Sequence, residues 1–451
     1  MGCGSSSAIK TVISDPPPSV NKVQQLEVPS FDVNNPSRPQ SRKESVEISG
    51  SQRPSITTND FEMNEEGSVK LQYICDTDIS LEWLYQRLIE KFKCYDEPEP
   101  QWIAERLNII GDKDLDQTTV LRVTFGWENE KLPKSVVLKI CVSQTNNGTD
   151  NKNLASRIEC NVYEWLTKQK KLPVPRIFVI KKQATEAGNG VIIMEDLNER
   201  AQVGSLSKGM CVDGVRDLLR NLAQIHAYSL KYSDWTTMVT ENSPFLYQQT
   251  ADFASAAIKS WPKFDGNKFQ KLSKFLSANY LSDIASDSVP DDKIPRVLVH
   301  GNPAAHSVFL SKEEKVAAIV DWTRKLTILN SDPGFSEAHP GCYAEDVTKT
   351  ICWNLNGKER HDNVLRLLEY YHFHLVKFYG ASLENITLEQ VKKQYQKFFP
   401  FVTITFLLFM PEDFENADQN LLDRAQCLID DTIILTAGIE SSNDNLSSDN
   451  N

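Results

Sequence analysis

Residues 297–302 (VLVHGN) and 318–322 (AIVDW) are the stretches that decide the fold class. Each is an apolar run of strand length that ends on a polar residue, and a short connection joins the two. The sequence therefore predicts two buried strands around one site. The polar residues at these ends are His300, Asn302 and Asp321.

The apolar patterns on either side of these strands predict a mixed fold. Residues 136–142 (VVLKICV) have the pattern of a buried strand that contains one lysine, and residues 191–194 (VIIM) have that of another. Apolar residues at helical spacing mark further faces, which begin at Leu81, Ile158, Val215 and Val364. Strands thus gather early and helices late, which indicates an α+β chain.

Length, composition and charge exclude several classes of protein. The chain has 451 residues, enough for more than one lobe, and 40% of them are hydrophobic, which suits a soluble globular protein. No apolar run reaches the roughly 18 residues that a membrane-spanning helix needs. The net charge of -12 gives no general attraction to nucleic acid, and we expect no nucleic-acid partner. Nor does this charge indicate a basic surface that adheres to anionic lipid, although a local basic patch could still bind either nucleic acid or lipid.

The cysteines indicate a reducing compartment. There are 9 of them, scattered along the chain without a C-x-x-C pair. This pattern argues against a zinc site and against a disulfide framework. Because the number is odd and no apolar secretory signal opens the chain, we expect a cytoplasmic, membrane-associated protein.

The two ends of the chain differ in composition from the rest. Residues 1–65 are rich in Ser, Pro, Asn and Gln and have few clustered apolar side chains, so they cannot repay the entropy of ordering. Residues 438–451 are polar and acidic. We therefore predict a disordered N-terminal tether over 1–65 and a disordered tail over 438–451.

The first six residues, MGCGSS, fit the pattern for N-myristoylation of Gly2. One myristoyl chain binds membranes only marginally, so stable binding needs a second signal. Lys10 and Lys22 are too sparse to supply it, which leaves palmitoylation of Cys3. We predict that the membrane is a partner through these two acyl chains. The alternative is a small exposed terminus without modification.

A candidate ion pair and a strand end follow one another along the sequence in the order found in phosphotransferases. Phosphoryl transfer needs a cation on the phosphates, a metal held by oxygen ligands and a base near the acceptor hydroxyl. Lys139 lies in an apolar strand and needs an anionic partner, for which Glu159 on the next helix is the candidate. Residues 192–197 (IIMEDL) indicate a nucleotide-binding hinge, with backbone groups such as those of Glu195 and Leu197 facing the adenine. The alternatives are a lysine that reaches solvent, a solvated glutamate and an ordinary strand end.

Seven segments in sequence order resemble one family. They are VVLKI with Lys139, IECNVYEWL with Glu159, IIMEDL, LAQIHA ending at Ala227, VLVHG, AIVDW, and LLEYYHFHLVKFYG at 367–380. Over roughly residues 75–435 the chain resembles the CHK kinase-like group, and it is most similar to the nematode branch. This group includes the ecdysteroid kinase-like proteins and is related to choline kinases and aminoglycoside phosphotransferases.

The resemblance implies a bilobal protein-kinase-like fold. We expect a small sheet-containing N-lobe over 70–197 and a larger helical C-lobe over 198–437. It also implies ATP and Mg²⁺ as cofactors, with Lys139 and Glu159 at the phosphates and Asp321 as a metal ligand.

Two residues depart from the family pattern H-G-D-x-x-x-x-N, which begins here at His300. Asn302 stands at the position of the catalytic aspartate, and an amide cannot accept the acceptor's proton at neutral pH. Ser307 stands at the position of the metal-binding asparagine, where its hydroxyl is a Mg²⁺ ligand of shorter reach. The nucleotide loop at 116–121 (DQTTVL) also lacks glycine, so Thr118 or Thr119 would have to offer a hydroxyl to the phosphates.

Three further polar residues have two interpretations each. His306, four residues past Asn302, is a candidate replacement base or a structural or surface histidine. His226 is expected to be a packed helix residue rather than a catalyst. Asp346 matches another aspartate of the family, and we interpret it as structural, with helix capping as one role.

Three functions follow from these observations. The first is a membrane-anchored pseudokinase, a binding or regulatory scaffold with a protein partner and an unknown small-molecule ligand. The second is an active ATP-dependent kinase of small alcohols, such as choline or sterols. The third is a lipid-anchored structural module. Loss of a general base costs about 10²–10⁴-fold in rate, which favours the first over the second. The retained Lys139, Glu159 and Asp321 favour it over the third.

Overall fold

The computed structural model describes residues 57–58, 72–107, 118–141, 150–182, 190–242, 244–286, 294–322, 338–381, 383–411, 414 and 416–448. The predicted acylation sites Gly2 and Cys3, residues 116–117 of the predicted nucleotide loop and most of the predicted tether lie outside these ranges. None of the described helices is long and apolar enough to cross a membrane.

An antiparallel sheet of six strands forms the first part of the described chain. The strands are β1 (Thr57–Thr58), β2 (Trp102–Arg106), β3 (Thr118–Phe125), β4 (Ser135–Cys141), β5 (Ile177–Lys181) and β6 (Gly190–Glu195), in the spatial order β1-β2-β3-β4-β6-β5. The strands predicted at 136–142 and 191–194 correspond to β4 and β6. These two strands pair so that Lys139 lies opposite Ile192. β4 has a neighbour on each side, which agrees with its apolar composition.

Two helices accompany the sheet, α1 (Leu81–Phe92) and α2 (Asp150–Lys168). The Ser80 side chain accepts a hydrogen bond from the Trp83 backbone N–H and so caps the start of α1. The apolar faces that predicted the two helices are buried, with Leu81, Leu84 and Leu88 in α1 and Ile158, Val162, Trp165 and Leu166 in α2.

Helices dominate the rest of the chain. They are α3 (Val212–Lys231), α4 (Pro244–Ser260), α5 (Gly266–Leu272), α6 (Ala278–Ala285), α7 (Tyr343–Asn354), α8 (Gly357–Tyr379), α9 (Leu388–Phe406) and α10 (Gln419–Ser448). Five short strands lie among them: β7 (Gln202–Val203), β8 (Val297–Val299), β9 (Val308–Leu310), β10 (Val316–Ile319) and β11 (His339–Gly341). They form a three-stranded sheet, β10-β9-β7, and a two-stranded ribbon, β11-β8. The predicted α+β bilobal class, a sheet-containing first part and a helical second part, is confirmed.

The two hydrophobic cores explain how the sheet and the helices meet. One core joins α1 to a face of the six-stranded sheet and includes Leu84, Leu121 and Leu138. The larger core fills the helical part and also includes Ile158 and Trp165 of α2. α2 packs against β5 and β6 of the sheet, and the larger core that it shares also includes Ile192 and Met194 of β6. This places Glu159, on α2, between the two parts.

The last helix differs from the expectation. α10 continues through residues 438–448, where the sequence predicts a disordered acidic tail. The helical backbone corrects that prediction for these residues. Once a helix has formed, each added residue contributes one further backbone hydrogen bond, so a polar composition does not by itself end the helix.

Candidate functional site

Lys139 of β4 links the sheet to the helical part. Its Nζ lies 2.7 Å from Glu159 Oε1 and 3.0 Å from Asp321 Oδ1. The Glu159 side chain is only 1% exposed and that of Lys139 is 13% exposed, so this pair is largely removed from solvent. The ion pair that the sequence predicts is therefore present, and the carboxylate of Asp321 joins it.

Asp321 follows β10 in a left-handed backbone conformation, with φ at 63°. Such a conformation is uncommon for a residue other than glycine and persists only where the surroundings impose it. Two contacts hold the segment: the Val320 N–H donates to the Ser307 carbonyl at 2.9 Å, and the Asp321 backbone is hydrogen-bonded to the Tyr163 hydroxyl. The Asp321 side chain is 41% exposed, so it faces Lys139 on one side and solvent on the other.

Asp346, in the first turn of α7, holds the loop after β8 through hydrogen bonds to the loop backbone. Its buried carboxylate accepts the backbone N–H of His300 at 2.7 Å and that of Gly301 at 2.9 Å. The His226 Nε2 lies 3.1 Å from the same carboxylate. Although burial alone would raise it, the pKa of Asp346 is lowered by these hydrogen bonds and by the neighbouring imidazoles. Asp346 is thus structural, but it caps the loop; the cap of α7 is Cys342.

His226 is a packed helix residue, as predicted. It is fully buried in α3, and its Nδ1 lies 2.8 Å from the Tyr371 hydroxyl. It therefore links α3 and α8 to the aspartate under the loop.

His300 uses both ring nitrogens inside the loop. Its Nδ1 accepts the Asn302 backbone N–H at 3.1 Å, so the proton resides on Nε2, which donates to the Val320 carbonyl at 3.0 Å. Burial lowers the pKa of His300, which favours this neutral form. The ring also packs edge-on against Trp322. His300 thus positions Asn302 and the segment that carries Asp321.

Asn302, which the sequence resemblance aligns with a catalytic aspartate, is 2% exposed. Its amide Nδ2 donates to His306 Nε2 at 3.1 Å. Its Oδ1 is buried and has no hydrogen-bond partner among the described residues. His306, four residues after Asn302 in the sequence, is therefore in direct contact with it. The His306 imidazole also packs against the Phe409 ring.

Ser307 supplies a second buried oxygen. The residue is fully buried, and its Oγ has no hydrogen-bond partner within the described ranges. Buried polar atoms usually have partners, and the oxygens of Ser307 and Asn302 are two of several in the described residues that have none. Ser307 is joined to the segment that carries Asp321 by the Val320 N–H, and the oxygens of these three side chains are of the type that Mg²⁺ prefers. The residues present therefore fit this cation.

A buried charged cluster behind the loop was not predicted. Lys349 Nζ donates to the Gly301 carbonyl at 2.5 Å and to Glu345 Oε1 at 2.7 Å, and Glu345 Oε2 lies 3.2 Å from His339 Nε2. Burial alone would raise the pKa of Glu345, but Lys349 and His339 lower it to about 2. The one signal in the sequence is the spacing of four between Glu345 and Lys349 on a helix.

The predicted hinge residues have structural contacts of their own. The buried Glu195 carboxylate accepts the Arg176 backbone N–H at 2.9 Å and bonds to the Arg176 and Arg200 guanidinium groups. Although burial alone would raise it, the pKa of Glu195 is lowered by these bonds. The Leu197 carbonyl accepts the backbone N–H groups of Arg200 and Ala201 in a 3₁₀ turn. The Glu195 side chain is therefore occupied, and any adenine contact there falls to the backbone.

The predicted nucleotide loop is only partly described. Thr118 and Thr119 belong to β3, where they pair with Cys141 and Ile140 of β4. Thr119 is 7% exposed.

One family model matches residues 104–434, which is more than half of the chain. It is DUF1679, described as "Uncharacterized oxidoreductase dhs-27". The chain belongs to this family. No curated protein sequence is significantly similar to this member of DUF1679.

Solved structures with a similar arrangement include kinases of small molecules. A choline kinase from Cryptosporidium parvum Iowa II has a TM-score of 0.47 and 10% identity, over 76% of this chain and 91% of that one. A putative aminoglycoside phosphotransferase from Ralstonia eutropha has a TM-score of 0.44 and 13% identity, over 79% and 97%. The GDP complex of aminoglycoside 2'-phosphotransferase-IIIa has a TM-score of 0.40 and 12% identity, over 78% and 97%.

Proposed function

We propose that this DUF1679 protein is a membrane-anchored, kinase-like nucleotide-binding protein with impaired phosphoryl transfer. The observation that carries the proposal is the contrast between two parts of the site. Lys139 is held between Glu159 and Asp321, whereas Asn302 donates a hydrogen bond where a base would have to accept a proton. The site keeps the groups for binding and lacks the group for proton transfer.

The binding role follows from charge and geometry. Lys139 is positioned by two carboxylates and presents a cation to nucleotide phosphates. Asp321 and Ser307 would hold Mg²⁺, with the Asn302 carbonyl oxygen as a further donor. Mg²⁺ would neutralise phosphate charge there. The half-exposed carboxylate of Asp321 keeps this site open to a ligand from solvent.

Impairment follows from the chemistry of the amide. The Asn302 Nδ2 is a donor and its Oδ1 is a very weak base, so neither atom takes a proton from an alcohol. Loss of a general base costs about 10²–10⁴-fold in rate. The smaller Ser307 at the metal site is expected to reduce the rate further.

One observation favours the alternative of an active small-molecule kinase. His306 lies beside Asn302, where an imidazole could replace the missing carboxylate. However, its Nε2 already accepts the Asn302 amide hydrogen, so the lone pair is engaged. Measured turnover separates the two functions.

The oxidoreductase wording of the family description has no support in the paired strands. Dinucleotide-dependent oxidoreductases of the Rossmann type use a parallel sheet. Every strand pair among the described residues of this chain is antiparallel. We therefore base the function on the kinase-like site.

A thermal-shift measurement with Mg·ATP tests the nucleotide site. We expect ATP to raise the melting temperature of the wild type and not that of Lys139→Met, each compared with its own ligand-free protein. Lys134→Met, at an exposed lysine just before β4, is the matched control and should respond like the wild type. If ATP does not raise the melting temperature of the wild type, the result contradicts nucleotide binding and supports the structural-module hypothesis.

A further inference from the structure

We infer that the C-terminal end of α2 is a docking surface for an anionic membrane. Residues 168–182 (KQKKLPVPRIFVIKK) contain six basic residues and no acidic one. The chain as a whole has 61 acidic and 49 basic residues, so this segment opposes its general charge. The inference concerns a face formed by Lys168, Lys170 and Lys171, which we term the basic face, and does not depend on nucleotide binding.

The basic face stands on a rigid part of the structure. Lys168 is the last residue of α2, and Lys170 and Lys171 belong to the turn that follows; all three are exposed. The Lys170 carbonyl accepts the Gln224 side chain at 3.3 Å. The Pro173 carbonyl accepts the Ile319 backbone N–H at 2.7 Å. The turn is thus fastened to α3 and β10, and the three amines are presented together without a further cost of ordering the backbone.

Neighbouring carboxylates are already paired. Glu164, one turn before Lys168, forms an ion pair with Lys182 at 2.8 Å. Glu195 is shared by the Arg176 and Arg200 guanidinium groups. The Asp234 carboxylate accepts the Trp165 indole N–H at 2.9 Å.

The basic face therefore keeps its positive charge. Within the described part of the chain, no ion pair includes its three lysines.

Lysine chemistry favours a membrane over a specific anionic group. An ammonium is a strongly hydrated point charge on a flexible stem, suited to diffuse attraction, whereas arginine suits bidentate recognition. The arginine in this segment, Arg176, is already bonded to Glu195. A polybasic surface is also one of the signals that convert the marginal binding of a single myristoyl chain into stable binding. We therefore assign the lysines to anionic lipid headgroups.

Vesicle co-sedimentation of the full-length chain tests the inference. Gly2→Ala is used throughout to remove acyl chains, so that the result is separate from the acylation proposal. Binding should be strong to phosphatidylcholine vesicles that contain phosphatidylserine, weak to phosphatidylcholine alone, and reduced by high salt. Each lysine near an anionic surface contributes about fivefold to affinity, so K168Q/K170Q/K171Q should lose about 100-fold.

Two further variants separate the basic face from net charge and from folding. K208Q/K263Q/K271Q removes three exposed lysines from other surfaces and should keep most of the binding. K168R/K170R/K171R keeps the charge at the basic face and should bind like the parent protein. Equal losses in the two glutamine triples, or no dependence on phosphatidylserine in the parent, would overturn the inference. So would binding of an acidic peptide such as polyglutamate without binding of vesicles, which would indicate a protein partner.

Discussion

At the scale of single residues, Asn302 shows how little change is needed to alter the chemistry of a site. The amide has the shape of the carboxylate that it replaces, and it fits the same buried position. Its Nδ2 donates to His306, whereas a carboxylate could only accept. The loop around it has hydrogen bonds to Asp346 and His300, so under the proposed function the structural support for a base is present without the base.

Restoration of the two substituted positions tests this interpretation directly. Asn302→Asp with Ser307→Asn rebuilds a carboxylate at the base position and an amide at the metal position. If the acceptor pocket is intact, we expect ATP turnover to rise about 10²–10⁴-fold, the usual contribution of a general base. The assay compares wild type, the two single variants and the double variant on choline, ethanolamine and sterols. A wild type that works at roughly 1–100 per second contradicts the proposed impairment.

The Lys139–Glu159 pair allows a comparison of a buried and an exposed ion pair on one helix. Glu159→Ala removes the buried carboxylate that pairs with the Lys139 ammonium. We expect a loss of about 3–5 kcal/mol in the free energy of unfolding. Glu164→Ala, five residues along α2, removes an exposed partner of Lys182 and should cost about 0–1 kcal/mol. Urea denaturation measures both. Similar losses for the two variants would mean that Asp321 alone is sufficient for Lys139.

At the scale of elements, α7 is the support of the loop after β8. Asp346 accepts the loop's backbone N–H groups, and Lys349 donates to the Gly301 carbonyl one turn further along the helix. The two charges lie on one helix, so their spacing follows from helix geometry. A shift of α7 would therefore move the backbone on both sides of Gly301 and with it Asn302.

The acidic residues of α7 predict a pH dependence of stability. The pKa of Glu345 is about 2 in the folded protein, below its ordinary value of 4.5, so the unfolded chain binds more protons between these values. Its contribution is present above about pH 4.5 and is lost as the pH falls toward 2. Glu345→Gln should therefore flatten the dependence of the unfolding free energy on pH in this window, besides lowering stability near neutrality because Lys349 loses its partner. Urea denaturation as a function of pH gives the slope. Glu389→Gln at an exposed ion pair is the control, and an equal change of slope in both variants contradicts the argument.

The elements that the sequence predicts are those with strong local patterns. The apolar runs at 136–142 and 191–194 became β4 and β6, and the run at 297–299 became β8, because a buried strand must be apolar along its length. Residue pairs at the site followed from chemistry: a lysine within an apolar strand requires an anion, which led to Glu159. Contacts between residues far apart in sequence were harder to predict from the sequence. The bond from Lys349 to Gly301 spans 48 positions and involves a backbone carbonyl, which has no signature in the sequence.

At the scale of the whole molecule, the site lies where two cores meet. The sheet and α1 share one core, whereas residues of α2 and β6 belong to the other core together with the helical part. Lys139 comes from the sheet, Glu159 from the helix α2 that packs on it, and Asp321 from the segment after β10. Charged groups from both parts meet at this one point, so a ligand bound there contacts both. We therefore expect nucleotide to stabilise the protein as a whole rather than one part of it.

The final prediction concerns the attachment of the molecule to a membrane. We expect myristate on Gly2, because the first six residues fit the acylation pattern, and palmitate on Cys3, because one chain binds only marginally. Metabolic labelling in cells with an alkyne analogue of myristate should mark the wild type and not Gly2→Ala. Cys3→Ser should keep the myristate label but loosen membrane retention, with myristate and the basic face as the remaining contacts, whereas Ser7→Ala, just after the pattern, should change neither. Equal labelling of the wild type and Gly2→Ala would contradict acylation. Full membrane retention of Cys3→Ser would instead assign the second signal to another part of the chain, and the basic face at the end of α2 would then be the surface to remove next.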